Sequence, residues 1–338
     1  MKIITLEEHH DTKEMQDAVA IAISNLSPSR RVHYEQPAAF KAPVTLTQPI
    51  LDFGSGRIAA MDKFGIDMQI SGCGNAGMNL QLLSQEEALA LSIDCNDKFA
   101  EAVKTYPTRL VGLSTLPTNN PREAADELNR CVNQLGFRGA MIPCATNGKF
   151  LDNPDFAPIL QMANDLEVPL ILHPTIVQSD VIEHYYSGID SELDFLFAGP
   201  GYGWHFETGI SVIRFILAGG FEKYPKLNLV IGHLGEMIPF YLERLDDLFC
   251  MATGKLQKPV SVYFKEHVFV TPSGMFHKNS FDFCVKTLGA DKMMYSVDYP
   301  YLPPIILSKA RPFLENADIS NADKEKIGHG NAEKLFRI

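Results

Sequence analysis

Short apolar runs alternate along the chain with longer stretches in which apolar residues recur at helical spacing. Eight runs predict β-strands: KIITLEE from Lys2, DMQISG from Asp67, RLVGLSTL from Arg109, FRGAMIP from Phe137, PLILHP from Pro169, LNLVIGH from Leu227, HVFVTPS from His267 and KMMYSVD from Lys292. Strands separated by helices are typical of parallel βαβ units. Within 338 residues, eight such units favour a closed (β/α)8 barrel of the TIM type over an open doubly wound sheet.

The helical stretches between these runs carry start and stop signals. Residues 84–106 begin with Ser84, a residue suited to cap a helix, and acidic residues follow in the first turn. Residues 120–136 begin with Asn-Pro and end on Gly136, which is the expected asymmetry of helix ends. Both stretches therefore predict helices.

We expect residues 1–338 to form a single barrel domain with two long insertions. Residues 11–55, rich in Pro and Gln, follow the first strand, and residues 176–203 follow the fifth. Long loops after barrel strands lie over the active face, so both segments are predicted to form a lid or pocket walls. The alternative is that each is a peripheral insertion.

Composition excludes several classes of protein. Hydrophobic residues make up 46% and charged residues 21%, as in a globular protein with a sizeable core. The net charge is −11 without any basic cluster, which argues against nucleic-acid binding. The longest apolar stretch is interrupted by Arg214 and is too short for a membrane span, and no secretory signal is visible.

The cysteines indicate reduced thiols and a cytoplasmic protein. They are widely spaced and form no CxxC pair, which fits buried thiols better than disulfides or a zinc framework. The six positions are Cys73, Cys95, Cys131, Cys144, Cys250 and Cys284.

Polar residues stand where four of the predicted strands end. The first strand ends in Glu7-Glu8-His9, the fifth in His173, the sixth in His233 and the eighth in Asp298. In a barrel, all four places open on one face. A single histidine after a strand is commonly a packing residue, but four such positions point to a shared site.

Strand alternation separates the residues of the first strand into two sets. Glu7 and His9 are expected to face the barrel lumen together. The opposite set, expected to face the surrounding helices, is Ile4, Leu6, Glu8 and His10. With His173 and Asp298, the inward pair makes two imidazoles and two carboxylates around one cavity, a mixed nitrogen and oxygen set that suits a divalent first-row metal.

Several motifs together resemble the amidohydrolase superfamily. They are GRIAAMDKFGIDMQ, PLILHP, FETGISVIRFILAGGFEKYPKLNLVIGHLGE, IPFYLERLD, YSVDYPY and GNAEKLF. The first strand carries Glu7-x-His9 in place of His-x-His, which resembles the branch of metal-dependent, non-oxidative aromatic acid decarboxylases acting on γ-resorcylate, 2,3-dihydroxybenzoate or 5-carboxyvanillate. The loop SGCGNAGMN after the second strand departs from the Ser-Pro-Gly of this branch.

The resemblance implies a function and a set of site residues. The metal ligands would be Glu7, His9, His173 and Asp298. The active-site residues of the His-x-x-Glu segment would be His233, Glu236 and Arg244. The substrate would be a small aromatic carboxylate, and relatives of this kind are homodimers or homotetramers.

Decarboxylation of an arene needs an acid over the ring, and Asp298 is the first candidate. Glu236, three residues after His233, would orient its imidazole and form a relay that loads the acid. Arg244 follows Glu236 by eight residues, so it either keeps that carboxylate ionised on a continuous helix or lies on a solvated face.

Three further residues are candidates for substrate binding. Arg57 follows the long first loop and would bind a carboxylate or phenolic oxygen, unless it forms a surface salt bridge. Trp204 and Tyr299 would sandwich an aromatic ring, or Trp204 would only pack. The remaining isolated histidines are predicted to be surface or packed residues, with His205 close to the expected pocket: His184, His205, His277 and His329.

The carboxylate-rich ligand set favours Mn²⁺ over Zn²⁺ as the single metal. An alternative function is a metal-dependent hydrolase of a lactone, amide or C–C bond, with Asp298 as the base. A third possibility is a non-catalytic barrel that keeps its ligands by descent. The segment around Gly54 loosely fits a dinucleotide fingerprint, but it lacks the strand before it and the acidic residue after it.

Overall fold

The computed structural model describes residues 1–34, 47–249 and 256–338. Cys250 and part of the predicted 11–55 insertion lie outside these residues. The strands are β1 (Ile4–His10), β2 (Met68–Cys73), β3 (Leu110–Gly112), β4 (Ser114–Thr115), β5 (Ala140–Pro143), β6 (Ala145–Thr146), β7 (Lys149–Phe150), β8 (Leu170–His173), β9 (Leu229–Ile231) and β10 (Val268–Val270).

Helices follow most of these strands. They are α1 (Lys13–Ser24), α2 (Pro28–Arg31), α3 (Thr47–Leu51), α4 (Ser55–Phe64), α5 (Asn75–Met78), α6 (Gln85–Thr105), α7 (Pro121–Arg130), α8 (Ala157–Leu166), α9 (Ser179–Val181), α10 (Ser191–Ala198), α11 (Gly203–Leu217), α12 (Gly220–Lys223), α13 (Ile238–Phe249), α14 (Val260–His267), α15 (Lys278–Leu288), α16 (Pro304–Leu307), α17 (Ala310–Glu315), α18 (Asn321–Glu325) and α19 (Asn331–Phe336).

The strands form parallel sheets, as the alternation predicts. One sheet has the order β1-β2-β3 and the other the order β10-β9-β8-β5-β4, while β6 and β7 form a small antiparallel pair. Every ladder within the two larger sheets is parallel. The chain is therefore an α/β protein whose strand ends meet at common edges.

The eighth predicted strand is reduced to isolated bridges. Tyr295 pairs with Thr5 of β1, and Met293 pairs with Val270 of β10. Farther along, the side chain of Glu8 accepts the backbone N–H groups of Val297 and Tyr299. A side chain thus satisfies two amides that a regular strand would offer to its neighbour.

Two hydrophobic clusters separate the inside of the sheets from the outside. The larger cluster joins strand residues to the helices. The smaller cluster contains mostly strand residues: Ile4, Leu6, Ile70, Val111, Leu113, Met141, Ile171, Val230 and Met294. The prediction that Ile4 and Leu6 face the helices is therefore wrong, and the cause is an irregularity of β1 described below.

The predicted helix ends are confirmed. Ser84 accepts a hydrogen bond from the N–H of Glu87, whose side chain returns to Ser84 in a capping box. Beyond α7, one π-helical turn ends at Gly136, which has a φ of 75°. The segment 176–203 contains α9, a π-helical turn and α10.

The described cysteines are unpaired and buried: Cys73, Cys95, Cys131, Cys144 and Cys284. Among the described residues, no helix combines the length and the apolar character that crossing a membrane requires.

One buried acid of α11 takes no part in a salt bridge. Glu207 is 6% exposed, and its Oε2 atom has no hydrogen-bond partner among the described residues. Burial raises the pKa of Glu207 to about 7, although hydrogen bonds from Gln178 oppose the rise. The folded protein therefore retains this proton at a pH where the unfolded chain has lost it.

We predict that Glu207→Gln stabilises the protein at pH 8 but not at pH 4.5. Because the folded pKa exceeds the unfolded one, the contribution of Glu207 to stability falls as pH rises from about 4.5 to 7, by roughly 2–3 kcal/mol. Urea unfolding at both pH values measures the difference, with Glu101→Gln on the exposed face of α6 as control. A gain that is equal at both pH values would contradict the assignment.

Candidate active site

A bulge in β1 places Glu7. The register between β1 and β2 shifts between Thr5 and Glu8, so Leu6 and Glu7 together stand opposite Ile70. Glu7 has a φ of 60°, in the left-handed region. The extra residue breaks the two-residue alternation, which is why Leu6 joins the strand cluster while Glu7 still lies with His9 on the site side.

The carboxylate of Glu7 is buried, and only one of its two oxygens accepts hydrogen bonds from described residues. Its Oε2 accepts hydrogen bonds from Thr271, at 2.9 Å, and from Ser273, whereas Oε1 has no partner among the described residues. A Cβ atom on Gly232 would lie 2.3 Å from Oε1, so glycine makes room for this carboxylate. Burial raises the pKa of Glu7, against lowering effects of His233 and Ser273.

Two histidines offer Nε2 atoms to the same region. Nδ1 of His9 donates to the carbonyl of Cys73 at 3.0 Å, and Nδ1 of His173 donates to the carbonyl of Pro174 at 2.7 Å. Their rings lie edge to face, 4.9 Å apart. Because each Nδ1 carries the proton, each Nε2 keeps its lone pair, which is the arrangement of metal-binding histidines.

The electrostatics of these histidines differ. Burial and the charges of His9 and His233 hold the pKa of His173 well below its usual value. Burial also disfavours the charged form of His9, but Asp298, whose Oδ1 lies 3.1 Å from Nε2, outweighs burial and raises the pKa of His9. The field that attracts a proton to this nitrogen also attracts a metal cation.

Glu8 and His10 have structural roles. Glu8 is fully buried and accepts the amides of Val297 and Tyr299 at 3.0 and 2.9 Å, which fixes the backbone on both sides of Asp298. Burial raises the pKa of Glu8 to about 7 against these hydrogen bonds. His10 stacks on Phe99 with ring centroids 3.8 Å apart and bonds Ser71 at 2.8 Å.

His233 and Glu236 lie on a turn with left-handed backbone. The five residues His233–Met237 all have φ between 48° and 86°. Such a conformation costs roughly 1–2 kcal/mol for each residue other than glycine, so the surroundings must hold it in place. The turn brings Nδ1 of His233 to 2.8 Å from Oε1 of Glu236.

The charges of this pair support each other. Burial disfavours the imidazolium, but the carboxylate of Glu236 outweighs it and raises the pKa of His233 to about 9. Burial also opposes ionisation of Glu236, yet His233 and His205 keep the pKa of Glu236 below its usual value. The charges of Glu7 and Asp298 also raise the pKa of His233.

His205 is neither an isolated surface residue nor a packed one without partners. It is 9% exposed, and its Nδ1 lies 2.8 Å from Oε2 of Glu236. Its sequence position offered no partner, because the contact joins α11 to a turn 31 residues away. Thr271 and Ser273, at the end of β10, were also missed, although the same strand-end rule points to them.

The structure does not bring Arg244 to Glu236. A left-handed turn separates Glu236 from α13, so the helical spacing assumed between the two residues does not apply. Arg244 is exposed on that helix, and both oxygens of Glu236 bond to histidines instead.

Arg57 is buried and bonded to neighbouring residues, so its guanidinium is not exposed to bind a substrate. It is 0% exposed and donates to the carbonyls of Asp52 and His9 and to the side chain of Gln69. Its guanidinium lies 5.1 Å from the ring centroid of Tyr299. These contacts exclude the surface salt bridge as well.

The predicted aromatic pair is not in ring contact within the described part of the chain. Tyr299 is 7% exposed beneath Arg57, while Trp204 is half-buried and donates from Nε1 to His205 at 3.1 Å. Tyr301, which the sequence did not single out, has its ring 4.9 Å from that of His9.

Two groups of residues are candidates for binding a metal. In the residues that the structure describes, the only three ligand atoms mutually within 4.8 Å belong to His205, His233 and Glu236. These atoms already satisfy one another through hydrogen bonds of 2.8 Å. In contrast, Glu7 Oε1 is buried without a hydrogen-bond partner among the described residues, and His9 Nε2 faces the carboxylate of Asp298 at 3.1 Å, which fits a site for a cation.

Comparison with known proteins finds relatives over nearly the whole chain. Gamma-resorcylate decarboxylase of Polaromonas sp. is 30% identical over 347 residues, covering 99% of this chain and 98% of that protein. Gamma-resorcylate decarboxylase of Rhodococcus jostii is 31% identical over 303 residues, covering 86% and 89%.

A solved structure has the same fold. The crystal structure of 5-carboxyvanillate decarboxylase from Novosphingobium aromaticivorans, complexed with manganese and 4-hydroxy-3-methoxy-5-nitrobenzoic acid, matches with a TM-score of 0.89 and 31% identity. The match covers 100% of this chain and 96% of that one. The Amidohydrolase family pattern matches residues 31–338. The chain therefore belongs to the amidohydrolase family.

Proposed function

We propose that this protein is a metal-dependent, non-oxidative decarboxylase of a hydroxylated aromatic carboxylic acid. The observation that carries the proposal is the buried Glu7 Oε1, which has no hydrogen-bond partner among the described residues, together with the contact of 3.1 Å between His9 Nε2 and Asp298 Oδ1. The names of the relatives, which are decarboxylases of aromatic acids, support the same chemistry.

We propose that the two parallel sheets close into a (β/α)8 barrel formed by residues 1–338 as one domain. The bridges from Tyr295 to Thr5 and from Met293 to Val270 support closure, since they join β1 to β10 through one segment. The segments 11–55 and 176–203 would then lie over the active face.

Four residues would hold the metal: Glu7, His9, His173 and Asp298. A bound divalent cation would neutralise the substrate carboxylate and a neighbouring oxygen and stabilise negative charge on them. Two carboxylates in the donor set favour Mn²⁺ over Zn²⁺. The relative from N. aromaticivorans, solved with manganese, supports that choice.

Decarboxylation begins with a proton added to the ring carbon that carries the carboxylate. The C–C bond then breaks, its electron pair restores the aromatic ring, and CO2 leaves. Asp298 would deliver the proton, because it is the acid of the site whose side chain is not fully enclosed, at 18% exposed. His233, whose pKa is raised to about 9 mainly by the carboxylate of Glu236, would reload it, and Glu236 would orient His233.

We propose that the protein works as a homodimer or homotetramer in the cytoplasm. The five described thiols are unpaired, as in a reducing compartment. Helices α13 and α15 expose three aromatic residues in ring contact, Phe240 (73% exposed), Tyr241 (47%) and Phe283 (40%). Such a patch is typical of a surface covered by a partner.

We predict that Glu7→Gln loses the metal while Glu14→Gln keeps it. Glu7 has a buried oxygen free for a cation, whereas Glu14 is exposed on α1. Inductively coupled plasma mass spectrometry of the dialysed proteins measures bound manganese and zinc. Equal loss in both variants, or wild-type content in Glu7→Gln, would remove Glu7 from the ligand set.

We predict that the manganese-loaded protein releases CO2 from an ortho-hydroxybenzoate and that His233→Asn lowers kcat by about 10²–10⁴-fold. In D2O, the product should carry deuterium at the carbon that lost the carboxylate. Mass spectrometry of the product over time measures the rate of turnover and the deuterium content. Asp291→Asn, at a surface residue, is the control. Turnover of lactones or amides without CO2 release would favour the hydrolase instead.

We predict that Phe240→Asp forms a smaller oligomer than the wild type, because the substitution would bury a charge in the patch on α13 and α15. Size-exclusion chromatography with light scattering measures the mass. Ile305→Asp, at a residue 69% exposed, is the control. A monomeric wild-type protein, or an unchanged mass, argues against this surface.

A further inference from the structure

The carboxylate of Glu236 is held from both sides by histidines. Its Oε1 lies 2.8 Å from Nδ1 of His233, and its Oε2 lies 2.8 Å from Nδ1 of His205. Glu236 is 2% exposed, so water has little access to either oxygen. The centroids of the two imidazole rings lie 4.3 Å apart.

The protons of this cluster follow from its chemistry. An ionised carboxylate only accepts hydrogen bonds, so both Nδ1 atoms must donate to Glu236. Nε2 of His205 lies 3.1 Å from Nε1 of Trp204, a donor, and 3.0 Å from the carbonyl of Pro200, an acceptor. Whether His205 is neutral or charged, its Nδ1 remains a donor to Glu236.

The backbone of Glu236 makes this contact necessary. Glu236 belongs to the left-handed turn His233–Met237, and no regular helix or strand fixes its direction. Among the described residues, His205 is the partner of Oε2. Without that donor, Oε2 would be a buried charged oxygen with no hydrogen bond, and the side chain would rotate to find another.

We propose that His205 is a positioning residue of the decarboxylation reaction: it holds the carboxylate of Glu236 in the orientation that fixes the ring of His233 for proton transfer. With Nδ1 of His233 committed to Glu236, Nε2 is the nitrogen that exchanges protons with the reacting groups. The inference rests on the proposed function for its kinetic consequence, but not for its geometry.

The same contact connects the site to the segment after α10. Nε2 of His205 touches Pro200 and Trp204, which lie in and next to the 176–203 segment. A side chain at this place therefore joins the proposed pocket wall to the proton-transfer pair. His205 makes no hydrogen bond to Glu7, His9 or Asp298, so its loss should leave metal content unchanged.

Three substitutions of His205 separate hydrogen bonding from packing. In His205→Asn, the amide nitrogen takes the place of Nδ1 and keeps the donor. His205→Ala removes the ring and the donor, and His205→Phe keeps a ring of similar size without a donor. His277→Ala, at an exposed histidine, is the control.

With manganese-loaded protein and an ortho-hydroxybenzoate, we expect His205→Ala and His205→Phe to lower kcat by about 10–100-fold. KM should change by less than about threefold, and His205→Asn should retain most of the wild-type kcat. Wild-type kcat in His205→Phe, or equal losses in all three variants, would overturn the proposal. Loss of manganese in His205→Phe would instead assign His205 to the metal.

A second measurement does not require turnover. In zinc-loaded protein labelled with ¹⁵N-histidine, the Nδ1 proton of His233 should exchange slowly with water in the wild type and in His205→Asn. It should exchange faster in His205→Ala or His205→Phe, whichever folds. Equal exchange in all variants would overturn the proposal even if no aromatic acid is decarboxylated, whereas inactivity of the wild type alone would count only against the proposed function.

Discussion

The buried carboxylate of Glu8 is the interaction on which the site depends. It joins the first strand to the segment around Asp298 by accepting two backbone amides, and that segment otherwise meets its neighbours through isolated bridges and single hydrogen bonds in place of a regular ladder. Gln69 and Arg57 extend the network, and Arg57 in turn donates to the carbonyl of His9. Glu8 thus helps to hold the segment that carries Asp298 beside His9.

Unsatisfied polar atoms distinguish functional from structural residues only when several converge. Nε2 of His10 is also buried without a partner, but it lies among the rings of Phe99 and Phe53 and has no carboxylate beside it. Burial and the charge of Arg57 hold the pKa of His10 well below its usual value. At Glu7 and His9, in contrast, an unsatisfied carboxylate oxygen is accompanied by the paired side chains of His9 and Asp298 and by the ring of His173, 4.9 Å from that of His9.

Sequence periodicity predicted the alternation of strands and helices and the strand-end positions of the polar residues. It could not predict the bulge at Leu6 and Glu7, because nothing in ITLEEHH distinguishes a bulged strand from a regular one. The positions of Arg244 and His205 could not be predicted from local sequence either. Helical spacing was extended through a left-handed turn, and a contact between distant segments leaves no mark in local sequence. Arg57 was misjudged because burial of a guanidinium depends on partners that only the fold supplies.

The left-handed turn His233–Met237 also limits how this chemistry can be transferred. Four of its five residues adopt a conformation that their own side chains disfavour, so the pentapeptide HLGEM does not encode its shape. Hydrogen bonds with residues on other elements hold this shape: Thr271, Ser273 and His205. Grafting the His-x-x-Glu segment alone onto another scaffold would carry the functional groups without their geometry, and a designer would need to copy the neighbours as well.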